Sequence, residues 1–507
     1  MNASGSPASP LRRWAPFALF LLYVGLLYGL TNLLQRGLFE RDGYFHARFA
    51  AMMPVRGLSR AFPWTQLSTW RTHFCDKEFL YHLVLMPFAR LGHDPILGAR
   101  IFSVLLAMAV LGTFYLVLRA HRVPFTPVFA FLPLATGGLF IARLGMIRSH
   151  VLSMLLLTIG LHLMLQKRYR ALAILGFIYA WSYTVPFVLL LTAFPLVLGL
   201  WLGRERLDLK LLLAAGGGSV AGLVIHPYFP LTLDTFLTYL EVFRLGLQGP
   251  AASGFELGNE LYPYSWPVLF DIYPLLLILA GLLVLTLILV LILGRKRLTP
   301  AALGVGLAAL FWFAMTVKTP RFTEYSALLV PAACAFVFRD LWPLVTARAW
   351  WTERPRLRWS AGALALLLVA GFHLRALSFY RVYEFPYAPP RFFTGACAWM
   401  DQHLAPGQRV INLYWDDFPD LFYDGSRQTY LWGLDPTYSL RADPDRARLL
   451  ERFRRHLLPL NAATFTQAFH AHVLVLRQSR AQAFPELERP PFQVAYRDAS
   501  AVVVTWQ

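Results

Sequence analysis

Long apolar runs, repeated along the chain, constrain this sequence more than any other feature. Trp14 to Leu33 is the first, and about ten more follow. A helix of about 20 apolar residues crosses the hydrocarbon of a bilayer. Inside it every backbone amide must be satisfied without water, which leaves only helices or closed barrels. Unbroken runs of this length fit helices. Composition agrees: 57% of residues are hydrophobic and 15% charged, against about 25% charged in soluble proteins. Mean hydropathy is +0.50. The expectation is a mainly α, polytopic helical membrane protein of about eleven spans.

The net charge of +19 raises nucleic acid as a partner, and its distribution argues against one. From Leu377 onward basic and acidic residues nearly cancel, so the excess belongs to the apolar part. There it clusters in short connections: Arg12-Arg13, Arg119 with Arg122, Lys167-Arg168-Arg170, Arg204 to Lys210, and Arg295-Lys296-Arg297. Basic residues collected on alternate connections mark the cytoplasmic face. This places the N-terminus in the cytoplasm, in an inner or plasma membrane. Trp14–Leu33 has arginines before it and no small-residue cleavage site after it, so it reads as a retained signal anchor.

Two long connections then fall outside, at about 34–95 and 227–271, far above the usual connection length of about 4–6 residues. Within the first, 79–91 is apolar but short, as suits a helix lying along the interface. Residues 1–376 therefore form a transmembrane domain with large outer loops. Residues 377–507 read as an extracytoplasmic α/β domain, in which helical stretches alternate with short apolar runs such as Val410–Leu413, Val473–Leu476 and Ala501–Thr505. Of the three cysteines, Cys75 and Cys397 both lie outside in this topology, which allows a disulfide between them.

Polar clusters collect on that outer side. Asp42, Tyr44, His46 and Arg48 follow the first span. Arg143, Arg148 and His150 form a short turn. Glu256 and Glu260 lie in the second long loop, and Lys318, Arg321, Glu324 and Tyr325 sit at a span mouth. Tyr414-Trp415-Asp416-Asp417-Phe418 lies in the C-terminal domain. Each has a plain structural reading: arginines snorkel to headgroups, Arg321 and Glu324 form an i,i+3 pair, and Asp416-Asp417 caps an element. Gathered at one membrane face, they suggest a site for an anionic lipid headgroup and a polar acceptor.

These residues resemble a known superfamily. The run Asp42-Gly43-Tyr44-Phe45-His46-Ala47-Arg48 directly after span 1 is similar to the first outer loop of GT-C-type integral membrane glycosyltransferases. Glu78-Phe79-Leu80-Tyr81-His82, with Gly98-Ala99-Arg100, resembles the interfacial helix and second span of their bacterial members, which use polyprenyl-phosphate sugars. Arg321-Phe322-Thr323-Glu324-Tyr325 and Tyr414-Trp415-Asp416-Asp417-Phe418 resemble segments of the oligosaccharyltransferase catalytic subunit. The resemblance implies a membrane glycosyltransferase, inverting, hexosyl- or oligosaccharyl-transferring. Its donor is a polyprenyl-(di)phosphate-linked sugar, and its acceptor a polar extracytoplasmic glycan, lipid or protein.

On the same footing, Asp42 is catalytic, and Arg321, Lys318 and Arg148 bind the donor phosphate. Tyr44, His46, Trp415, Asp416 and Asp417 bind the acceptor. A magnesium or manganese ion would be held by Asp42, Glu260, Glu256 or His150. One departure stands out: the turn Met146-Ile147-Arg148-Ser149-His150 has no carboxylate where the family places a second acidic ligand. The alternatives are a non-catalytic scaffold that binds a lipid-linked sugar, and a flippase or transporter. The latter calls for charged or broken segments at mid-membrane or internal repeats, and the sequence shows neither.

Overall fold

The apolar runs do form helices. The computed structural model describes residues 10–38, 40–253, 255–293, 298–381 and 390–507. The basic cluster Arg295–Arg297 and the Arg12 and Arg13 side chains lie outside the described residues. In chain order the helices are α1 (Pro10–Leu33), α2 (Asp42–Arg56), α3 (Phe79–Ala89), α4 (Pro95–Ala120), α5 (Thr126–Ala135), α6 (Gly138–Leu144), α7 (Ser149–Leu165) and α8 (Tyr169–Ser182). Then come α9 (Val188–Leu202), α10 (Leu209–Val224), α11 (Leu231–Ser253), α12 (Trp266–Ile272), α13 (Pro274–Leu293), α14 (Pro300–Lys318), α15 (Thr323–Thr346), α16 (Ala349–Thr352) and α17 (Pro355–Phe379). The C-terminal part adds α18 (Thr394–His403), α19 (Phe418–Asp424), α20 (Thr437–Ala442), α21 (Pro444–Arg454), α22 (Ala462–Phe469) and α23 (Gln478–Ala481).

Among the described residues five helices are long and apolar enough to cross a membrane, or up to seven if each of two bent pairs counts as one span. The chain is an integral membrane protein. Leu19, Leu22, Leu26 and Leu30 stay exposed along α1, as do Trp359 and Leu367 on α17, which is stable only against lipid.

Among the described residues two apolar helix pairs are sharply bent. α5 and α6 meet at 96°, and α12 and α13 at 105°. Pro133 weakens the end of α5, and at the break the backbone of another helix takes the room. A Cβ on Gly137 would lie 2.2 Å from the carbonyl oxygen of Ile272, and one on Gly138 2.6 Å from that of Ala376. Only glycine admits so close an approach.

Contacts divide the chain into two units, one of Met1–Leu34, Arg100–Gly222 and Pro263–Pro386, the other of Gln35–Ala99, Leu223–Tyr262 and Tyr387–Gln507. The first is helical. At its centre the Trp312 indole donates to Thr192 Oγ1 at 2.9 Å and packs edge-on against Tyr325.

The second unit holds the sheet. Its strands are β1 (Arg409–Asn412), β2 (Thr429–Tyr430), β3 (Val473–Arg477), β4 (Gln493–Arg497) and β5 (Ala501–Thr505), in the order β2-β1-β3-β5-β4. β1 is parallel to both its neighbours, while β3–β5 and β5–β4 are antiparallel. β3 and β5 are apolar through most of their length and buried, as strands covered on both faces should be. The first long loop extends this sheet: the amide of Tyr430 donates to Trp64 O, and that of Leu67 to Leu431 O. Cys75 and Cys397 are both buried free thiols, so the disulfide allowed by the sequence is not formed. Burial pushes the Cys75 thiol up to about 12.

Candidate functional site

In the helical unit, α6 carries Arg143 in its last turn and ends on Leu144, and the next helix begins at Ser149, after Arg148 in extended conformation. Between α14 and α15, a single turn of 3-10 helix, Pro320–Phe322, carries Arg321. One buried ion pair joins these segments: Arg143 donates to Glu324 Oε2 at 2.8 Å, with side-chain exposures of 5% and 0%. Tyr183 donates to the other oxygen at 3.2 Å. Glu324 is thus taken up by Arg143 and Tyr183, where the sequence suggested an i,i+3 pair with Arg321. A buried carboxylate needs such partners, because desolvating one unpaired is expensive. Hydroxyls continue the network, Ser153 meeting Tyr325 at 2.6 Å and Tyr179.

The pair therefore brings together the segments that carry three sequence-predicted donor residues. Arg148 precedes α7, Lys318 ends α14 exposed, and Arg321 lies half-buried in the turn between. His150 is buried, and its Nε2 donates to the Arg143 carbonyl at 2.9 Å.

In the second unit, Asp42 is the first residue of α2, following Arg41. Its amide donates to Glu40 Oε1 at 3.0 Å, and its carboxylate stands where the helix dipole favours negative charge. α2 is fastened to α19. Arg41 Nε donates to the fully buried Asp420 at 2.7 Å, Tyr44 packs edge-on against Tyr423, and Arg48 reaches Ser426 at 3.0 Å. Because α19 follows the turn Trp415–Asp417 directly, two motifs far apart in sequence share one unit.

Within that motif the carboxylates are engaged. Asp416 accepts from Arg480 at 2.5 Å, and Asp417, 1% exposed, lies 2.9 Å from the same arginine and 2.5 Å from Arg477. Burial alone would raise the Asp416 pKa, but Arg480 and Arg477 hold it below the usual carboxylate range. Trp415 is half-buried and Tyr44 buried. Glu256 is exposed and paired with Arg454 at 2.7 Å; Glu260 lies in a short 3-10 turn.

The metal-capable group gathered among the described residues is a different one from that expected. His46, Glu78 and His82 are all buried, with ligand atoms within 4.8 Å of one another. His46 Nδ1 lies 2.8 Å from His82 Nε2 and 3.7 Å from Glu78 Oε2. His82 Nδ1 lies 2.9 Å from Asp76. Sequence reasoning placed His46 at the acceptor and read 79–91 only as an interfacial helix. The spacing of Glu78 and His82 by one helical turn was the available signal, and the third group is on another helix.

His226, also in this unit, is buried between Phe79 and Tyr228. Burial lowers its pKa from 6.5 to about 4. The unfolded chain takes up this proton near pH 6.5 and the folded chain only near 4, so the stability involved is intact above 6.5. It is lost as pH falls toward 4, to the extent of about 3 kcal/mol. In His226→Asn the amide oxygen can still accept from the Tyr228 amide, which now bonds to the ring Nδ1. Melting curves between pH 7 and 4 should show this variant losing less stability on acidification than the parent; parallel curves would rule His226 out.

No protein-family model and no curated protein matches this sequence. Solved structures do. The oligosaccharyltransferase of Archaeoglobus fulgidus, in its apo form, aligns with 92% of this chain and 70% of its own at TM-score 0.58 and 12% identity. ArnT from Cupriavidus metallidurans, bound to undecaprenyl phosphate, aligns over 98% of both chains at TM-score 0.56 and 16% identity. The chain has the GT-C fold. Mycobacterial arabinofuranosyltransferase AftD is similar to 98% of it at TM-score 0.51 and 15% identity, over 40% of AftD's own length. At these identities the GT-C likeness is one of fold, and the chemistry has to be argued from this chain's own residues.

Proposed function

We propose that this GT-C chain is an inverting membrane glycosyltransferase that moves a sugar from a polyprenyl-phosphate-linked donor to a polar extracytoplasmic acceptor. The observation that carries the reading is the end-to-end alignment with ArnT, which was solved with a polyprenyl phosphate. In this reading there are about eleven spans, counting the shorter apolar helices and the bent pairs with the long ones. Residues 1–376 carry the membrane part, and 377–507 the outer domain.

Transfer from such a donor breaks the bond between the anomeric carbon and the phosphate oxygen and forms one to the acceptor. The leaving phosphate gathers negative charge; Arg321, with Lys318 and Arg148, meets it through charge-assisted hydrogen bonds. Asp42 takes the acceptor's proton or orients its nucleophile. A magnesium or manganese ion at Asp42 and Glu260 is the family expectation. Two imidazoles and one carboxylate at His46, Glu78 and His82 suit a softer metal, so no step is routed through an ion.

A non-catalytic scaffold is the second reading, favoured by the turn that offers His150 in place of an acid, with its Nε2 turned to a backbone carbonyl. Purified protein incubated with a panel of lipid-linked sugars separates the two. Transfer of sugar to any acceptor supports the enzyme, and saturable donor binding without transfer across the panel supports the scaffold. Orientation is tested separately: a phosphatase reporter fused after Gln507 should be active and a cytoplasmic reporter silent. The reverse would end the argument that the polar clusters share the outer face.

A further inference from the structure

The group His46, Glu78 and His82 plays no part in the transfer chemistry proposed above. The geometry points to a structural transition-metal site of the zinc class that ties α2 to the start of α3. The inference does not rest on the glycosyltransferase reading.

The protons come first. His82 Nδ1 faces both oxygens of Asp76 at 2.9 Å, so it carries a hydrogen and donates. Its Nε2 is then a bare lone pair, to which His46 Nδ1–H donates at 2.8 Å. That one hydrogen also faces Glu78 Oε2 at 3.7 Å. All three ligand atoms are buried and lie within 4.8 Å of one another, with this hydrogen among them. A cation in its place serves the three atoms together, and the displaced proton leaves for solvent or moves to His46 Nε2.

The dimensions fit. A tetrahedral zinc with bonds of about 2.0–2.1 Å holds its ligand atoms about 3.3–3.4 Å apart. The observed 2.8 and 3.7 Å lie on either side of that spacing, and all three ligand atoms lie within 4.8 Å of one another, so side-chain adjustments bring them onto one ion. Two imidazoles and a carboxylate select zinc, cobalt or nickel over magnesium, which prefers oxygen. The surroundings match as well. Asp76 is 3% exposed, accepts from the Glu78 amide at 3.1 Å, and orients His82 from behind, the usual carboxylate–histidine–metal arrangement. Phe49 packs on His82, and Phe45 and Tyr81 on His46, walling the group from water. His46 lies one helical turn after Asp42, so a metal here also fixes the start of α2.

The test is metal content and stability of the full chain in detergent. Purified without chelator, the protein should carry about one zinc per chain. Stripping it with a chelator should lower Tm by at least about 3 °C, restored by zinc or cobalt and not by magnesium or manganese. Cobalt added to the stripped wild-type chain should give the intense visible absorption of a four-coordinate ion, a readout that needs no variant to fold. His46→Ala with His82→Ala should abolish metal uptake, and Asp76→Ala should weaken it roughly 10–100-fold. A stripped wild-type chain that takes up neither zinc nor cobalt would overturn the proposal. So would metal retained by the double variant, or equal stabilisation by magnesium. None of these readouts involves sugar transfer, so they stand or fall apart from the enzymatic reading.

Discussion

Asp42→Asn should fold, insert and still bind the lipid-linked donor, yet lose at least about a hundredfold in turnover. Asparagine keeps the shape of the side chain and loses its charge and basicity. Removal of general-base assistance alone typically costs about 10²–10⁴-fold. Folding should survive because other side chains anchor α2. Arg41 with Asp420, Tyr44 on Tyr423 and Arg48 with Ser426 fasten it to α19 and the turn after it. Asp42 is the first residue of α2 and supplies the acidic charge of its first turn. Losing that dipole interaction alone costs about 0.3–1 kcal/mol of stability and leaves chemistry alone. Single-turnover measurements on the inserted, purified variant distinguish the two roles. A turnover close to the parent's would sink the catalytic assignment and leave Asp42 as a helix-start charge.

Arg321→Ala should cut donor affinity by roughly 10–100-fold, the equivalent of about 1.5–3 kcal/mol for a hydrogen bond to a charged group. Arg321→Lys should recover only part of it, since an ammonium lacks the planar fork that grips two phosphate oxygens. The arginine sits in a one-turn 3-10 helix whose position is set by the buried Arg143–Glu324 pair just beyond it. Glu324 is held by Arg143 and Tyr183, so the pair should persist in both variants, and melting curves matching the parent's would assign a loss of affinity to phosphate contact. Donor binding unchanged in both variants would make Arg321 a helix-end anchor and remove the donor side of the proposed site.

Much of the architecture was legible in the residues. Apolar runs gave the helices, because a segment in lipid has no other way to satisfy its backbone. The C-terminal strands β1, β3 and β5 fall on the short apolar runs that predicted them. What local pattern could not carry was any partnership made across the chain. Glu324 looks like a partner for Arg321 three residues away, yet it is held by Arg143 from another helix. Asp416 and Asp417 read as a cap or an acceptor site, and the fold gives them Arg477 and Arg480. Trp64–Leu67 carries no strand signature of its own and becomes an edge of the sheet only when Tyr430 and Leu431 offer it their backbones.

The bends at Gly137 and Tyr273 follow the same logic, since a close backbone approach belongs to the neighbour as much as to the glycine. Sequence alone determined which long apolar segments are helical and apolar enough to leave water, because those properties depend on residues within a few turns of each other. The tertiary structure alone decided which buried charges neutralise one another, and that His46 meets Glu78 and His82. A buried polar atom takes whichever partner packing brings within about 3 Å, and that partner need not be near in the chain.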